Sequence, residues 1–103
     1  MNSRQPDDLP IAPGAVTRVM KIINEKGLHA RASAKFVQTV EKFDAAVRVS
    51  RNGESVGGDS IMGLMMLAAG IGTSIMVSAT GPEARQCIDA LDALVSGKFG
   101  EDE

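Results

Sequence analysis

Residues 16–23, VTRVMKII, are apolar and rich in β-branched side chains, with Met20 and Ile22 on one side of an extended chain and Val19, Lys21 and Ile23 on the other. That composition and its partial alternation predict a strand. A loop follows over 24–27, closed by a glycine. From Leu28 the apolar spacing changes to threes and fours. Leu28, Ala32, Phe36, Val37, Val40 and Phe43 trace one face of a helix that ends across 41–44. Period two then returns: Ala45, Val47 and Val49 alternate with Ala46, Arg48 and Ser50. Asn52-Gly53 is the residue pair of a tight hairpin turn, so a short strand should come back through Ser55 and Val56 to Gly57-Gly58.

Asp59-Ser60 supplies a helix cap, with Ile61, Leu64, Met65 and Ala68 on one face of the helix and Gly70 and Gly72 as its stop. Ile75, Val77 and Ala79 alternate with Ser74, Met76 and Ser78, which predicts the last strand. Thr80-Gly81-Pro82-Glu83 has the spacing of a capping box, and Ala84, Cys87, Ile88, Leu91, Leu94 and Val95 trace a third helix up to Gly97.

The resulting order is βαββαβα. It predicts an α+β open-faced sandwich: a largely antiparallel four-stranded sheet with three helices on one face. The other face would be solvated through Arg48, Ser50, Ser74 and Ser78. Residues 1–14, polar and interrupted by Pro6, Pro10 and Pro13, read as a flexible tail. The domain is expected over 15–97, with an acidic C-terminal tail at 98–103.

Composition narrows the function classes. The 103 residues suit one domain, and the balance of 44% hydrophobic and 23% charged residues excludes intrinsic disorder of the whole chain. Cys87 is the only cysteine, so there is no disulfide scaffold. No run approaches a membrane span and the N-terminus has no signal-peptide core, which predicts a cytoplasmic protein without a membrane role. The net charge of −2 hides a basic first third, where Arg18, Lys21, Lys26, Arg31, Lys35 and Lys42 outnumber Glu25 and Glu41. That asymmetry favours an anionic group or an acidic partner, yet it is too weak for nucleic acid, and three phenylalanines give few stacking platforms.

His29 is the only histidine and stands at the start of the first helix. A helix N-terminus offers free N–H groups and a positive dipole end, a setting that holds phosphate through the backbone of Ala30 and Arg31. Arg31 adds a charge-assisted fork to the same anion. A neutral imidazole nitrogen is itself a nucleophile for a phosphoryl group. The residues therefore allow a histidine that is phosphorylated and held in place. They equally allow an exposed capping residue. One His and one Cys make no metal-ligand set, and nothing calls for a cofactor.

The stretch KGLHARASAKFV over residues 26–37 resembles the active-site signature of the HPr phosphocarriers of the bacterial phosphoenolpyruvate-dependent phosphotransferase system. The stretch DSIMGLMMLA over 59–68 is similar to that family's second signature, around a regulatory serine. The resemblance spans roughly 16–96 and leaves open the sugar-transport or the nitrogen-related branch. It implies a carrier rather than an enzyme. Enzyme I, charged by phosphoenolpyruvate, would pass its phosphoryl group to Nδ1 of His29, Arg31 would steady it, and an enzyme IIA-type protein would take it on a histidine. The sequence departs from the common family pattern at Ala32, where many members have proline, and at Gly63 inside the second helix.

Ser60 is a helix N-cap by position; the resemblance adds phosphorylation by an HPr kinase/phosphorylase. Leu64 and Met65 fit core filling. Ile61, Met62 and Met66 fit an apolar partner-binding patch beside His29, to which Met65 also contributes. Cys87 reads as a core residue, and Lys26 and Lys35 as solvated rim charges. A monomer suits a relay that shows one site to successive partners. The alternative is a regulatory protein-binding module, controlled by Ser60 phosphorylation in carbon or nitrogen control.

Overall fold

The computed structural model describes residues 14–102. The expected tail at 1–14 lies, apart from Gly14, outside the described residues. Strand β1 covers Val16–Lys21, helix α1 Ala30–Val40, strands β2 and β3 Ala46–Arg51 and Glu54–Gly57, helix α2 Ile61–Met66, strand β4 Ser74–Thr80 and helix α3 Ala84–Ser96. The strands form one sheet in the order β1-β4-β2-β3, and every neighbouring pair is antiparallel. The first and last strands in sequence, β1 and β4, pair through six residues from Val16 opposite Ala79 to Lys21 opposite Ser74.

One alternation of each strand faces the helices. Met20, Ile22, Val47, Val49, Ile75, Val77 and Ala79 are buried in a single core with Ala32, Phe36, Val37 and Val40 of α1 and Cys87, Ile88, Leu91 and Val95 of α3. Three helices thus cover one face of the sheet. The opposite face carries exposed Val19, Arg48 and Ser74. Ser50, expected among the solvated positions, is buried instead: a short side chain, it lies between Met76 of β4 and Ser55 of β3. The Asn52-Gly53 turn forms as its residues demand: both have positive φ, 53° and 82°, and Arg51 pairs with Glu54 across it.

Beyond the start of α1, three features differ from the sequence reading. Helix α2 ends at Met66 rather than at Gly70, since Ala68 turns left-handed (φ 53°). That turn buries Leu67 and Ala69, leaves Ala68 exposed, and lets Ala69 O receive the Leu28 N–H at 3.0 Å. The capping box before α3 does not form. Thr80 is committed to the sheet opposite Ala46, while Glu83 Oε1 accepts from Asp44 N at 2.7 Å. The chain also does not leave the domain at 97. Lys98–Gly100 make a 3-10 turn whose Phe99 is completely buried in the core.

Among the described residues no helix is long and apolar enough to cross a membrane.

Candidate functional site

His29 is placed by a loop with little freedom. Gly27 has φ +65°, and a Cβ there would overlap the carbonyl oxygen of Ala69, so only glycine fits. Leu28 is buried and its N–H is bonded to Ala69 O. Its own carbonyl accepts the buried Ser33 hydroxyl at 3.1 Å. With Gly27 and Leu28 anchored, His29 becomes the N-cap of α1, its backbone extended (φ −73°, ψ −178°) and its carbonyl accepting the first helical N–H from Ser33 at 2.9 Å. The helix starts two residues later than the apolar spacing predicts, and this puts the histidine at the cap itself. The N–H groups of Ala30, Arg31 and Ala32 precede that first helical bond and so have no partner four residues back.

His29, Ala30 and Arg31 line an open cleft of about 570 Å³ with Lys26, Lys35, Gly100, Glu101 and Asp102. Three cations and two carboxylates therefore surround the imidazole. Arg31 is exposed. A shallower hollow of about 270 Å³ runs from Lys26, Leu28 and His29 to Met65 and 68–70. Met65 is thus brought beside His29 and is 40% exposed, which corrects its assignment to the core; Leu64 fills that role alone. Ile61, Met62 and Met66 stand exposed on α2 but line neither cleft, Met62 at 71% and Met66 at 73%. Ser60 is also outside both. Its Oγ accepts from Gly63 N at 2.9 Å, so the N-cap forms as expected. Gly63 is explained by contact: a Cβ there would stand 2.9 Å from Val56 Cβ and 3.0 Å from Ser60 Oγ.

Sequence reasoning missed one side of the site. His29 Nε2 lies 2.6 Å from Glu101 Oε2. Asn24, fully buried, donates from Nδ2 both to Gly27 O at 2.9 Å and to Glu101 Oε1 at 3.1 Å. Its Oδ1 is buried without a partner among the described residues, a cost of about 1–3 kcal/mol, so the donor side is what the fold keeps Asn24 for. Lys35, read as a rim charge, donates to Phe99 O at 2.7 Å. Lys98 and Phe99 hold left-handed φ, 59° and 57°, each costing on the order of 1–2 kcal/mol. Burial of the Phe99 ring offsets that strain, and the turn delivers Glu101 to the imidazole. The hydrogen bond to His29, then that from Asn24, holds the Glu101 carboxyl below the usual glutamate range against the opposing effect of desolvation. No periodicity reports such a contact; a lone phenylalanine in a polar tail was the available signal.

Among the described residues no group of three His, Cys, Asp or Glu side chains could hold a metal ion.

A helix N-terminus, a capping histidine and a cleft where Lys26, Arg31 and Lys35 outnumber Glu101 and Asp102 make a place where an anion can be bonded to the imidazole and held. Comparison with known proteins bears on the same residues. The family model described as "PTS HPr component phosphorylation site" matches residues 16–97. The chain belongs to the HPr phosphocarrier family. Phosphocarrier protein HPr of Cupriavidus necator is 52% identical over 82 residues, 80% of this chain and 92% of that protein. Its counterpart in Neisseria meningitidis is 50% identical over 84 residues, 82% and 94% of the two chains. The crystal structure of HPr from Thermoanaerobacter tengcongensis superposes with a TM-score of 0.82 at 39% identity, covering 85% of this chain and 99% of that one. The HPr open-faced sandwich is therefore the fold, and the role is that of a phosphotransferase-system phosphocarrier.

Proposed function

We propose that His29 is the phosphoryl acceptor and donor of a relay in the cytoplasm. It takes the group from phosphoenolpyruvate-charged Enzyme I and gives it to a histidine of an enzyme IIA-type protein. The observation that carries this reading is the position of His29: it caps α1, next to the N–H groups of Ala30 and Arg31 that lie ahead of the first helical bond, in a cleft that Arg31 also lines. In the forward step a ring nitrogen lone pair forms a bond to phosphorus. The bond from phosphorus to its carrier atom on Enzyme I breaks, and that electron pair stays with Enzyme I. Phosphoryl transfer needs positioning and charge stabilisation more than covalent assistance, and the backbone N–H groups with Arg31 supply both.

The exposed Ile61, Met62 and Met66, with Met65 between them and His29, form the partner face in this reading. Flexible thioethers suit successive partners, and a small transient interface lets each one leave. Ser60 stands at the edge of that face, partly exposed. A phosphate added there by an HPr kinase/phosphorylase would place negative charge beside the apolar surface and weaken docking.

The relay is tested by reconstitution. Labelled phosphoenolpyruvate, Enzyme I, this protein and an enzyme IIA-type protein should move label to the last component. His29→Ala should stop it at Enzyme I. Label reaching the IIA-type protein through His29→Ala would overturn the proposal.

A further inference from the structure

We infer that Glu101 is the positioning residue of His29, holding Nε2 so that Nδ1 is the nitrogen offered to the phosphoryl group. The inference rests on the relay reading above and adds to it a residue beyond both signature motifs.

The geometry is specific. Nε2 and Glu101 Oε2 are 2.6 Å apart. A carboxylate only accepts, so the imidazole must donate from Nε2, and its lone pair then lies on Nδ1. The other carboxylate oxygen is taken by Asn24 Nδ2 at 3.1 Å. Glu101 is thus gripped at both oxygens, and its side chain is only 16% exposed. The backbone behind it is fixed too: Phe99 is fully buried, Lys35 Nζ bonds Phe99 O at 2.7 Å, and Glu101 N bonds Lys98 O at 2.9 Å. A side chain on a loose acidic tail would have none of these anchors.

The chemistry follows. When Nδ1 bonds to phosphorus while Nε2 keeps its proton, the ring becomes a cation. The carboxylate on Nε2 then faces a full positive charge where it faced a neutral N–H. That interaction is stronger in the transition state and the phosphorylated form than in the ground state, which is the condition for raising a rate. On transfer onward the phosphorus–Nδ1 bond breaks, its electron pair returns to Nδ1, and the neutral ring with its Nε2 proton is restored. Lys26, Arg31, Lys35 and Asp102 share the cleft, but the Nε2 contact is made by Glu101.

The test compares full-length wild type, Glu101→Ala and Glu101→Gln, with His29→Ala as control, in single-turnover phosphorylation by charged Enzyme I. Glu101→Ala should slow transfer at saturation about tenfold, the equivalent of one charge-assisted hydrogen bond, with KM unchanged. Gln still accepts from Nε2 and should recover part of the loss. In 15N-detected spectra the Nε2 proton should be protected from exchange in wild type and in Glu101→Gln, and lost to exchange in Glu101→Ala. Glu101→Ala at the wild-type rate, with His29→Ala unlabelled, would overturn the inference and leave the relay standing. A slower Glu101→Ala with its Nε2 proton still protected would also overturn it, making Glu101 a partner contact. An unlabelled, folded wild type would overturn the relay itself.

Discussion

Replacing Phe99 by alanine tests whether the C-terminal turn is part of the domain. The ring is fully buried, and Phe→Ala at such a site removes about 3–5 kcal/mol when the surroundings stay in place. Alanine keeps a Cβ, so the left-handed strain at Lys98 and Phe99 stays as long as the turn stays. If the turn melts instead, the chain regains that strain, on the order of 1–2 kcal/mol for each of the two residues. It then also loses the Lys35–Phe99 hydrogen bond, about 1 kcal/mol. The smaller loss prevails, so the expected destabilisation is about 2 kcal/mol. With about 4–8 °C per kcal/mol in a domain of this size, the thermal midpoint should fall by roughly 8–16 °C. Urea unfolding should show a lower midpoint at an unchanged slope. A loss below about 0.5 kcal/mol, the range of ordinary surface changes, would refute the integration of residues 98–100 into the core.

Three further outcomes are expected. Gly27→Ala would force a Cβ onto the Ala69 carbonyl at a positive φ, and it should cost about 2 kcal/mol or more in chemical denaturation while leaving helix content in circular dichroism unchanged. The Glu101 carboxyl should titrate below the usual glutamate range in 13C spectra and move up in His29→Ala; because its folded value is depressed, its contribution to stability is present above the ordinary glutamate value and fades as pH falls through the lowered one. Met62→Asp should leave the thermal midpoint within about 2 °C, because the side chain is 71% exposed, while weakening binding to Enzyme I measured by calorimetry.

The sheet was legible because a half-buried strand repeats every two residues, and Val47, Val49, Ile75, Val77 and Ala79 keep that period without a break. The hairpin was legible because Asn52 and Gly53 are the residues that tolerate two consecutive positive φ values. The end of α2 was not, since nothing local makes Ala68 turn left-handed. The demand comes from Gly27 and Leu28, some forty positions earlier, which need the Ala69 carbonyl beneath them. Glu83 misled for the same reason: its spacing fits a cap, but Asp44 N–H competes for its carboxylate and wins.

At the site, His29 and Arg31 stood out as a lone histidine and a cation at a helix start. Asn24, Lys35 and Glu101 did not, because their partners lie up to 77 residues away along the chain. A polar contact of that reach leaves no periodic trace, unlike an apolar stripe.

The most direct measurement is to incubate the protein with phosphoenolpyruvate and Enzyme I and map the modified residue by 31P spectroscopy and peptide mass analysis at neutral pH. The account predicts one acid-labile phosphoryl group, on His29, attached at Nδ1. A folded protein that takes no phosphoryl group, or takes it at any residue other than His29, would contradict it.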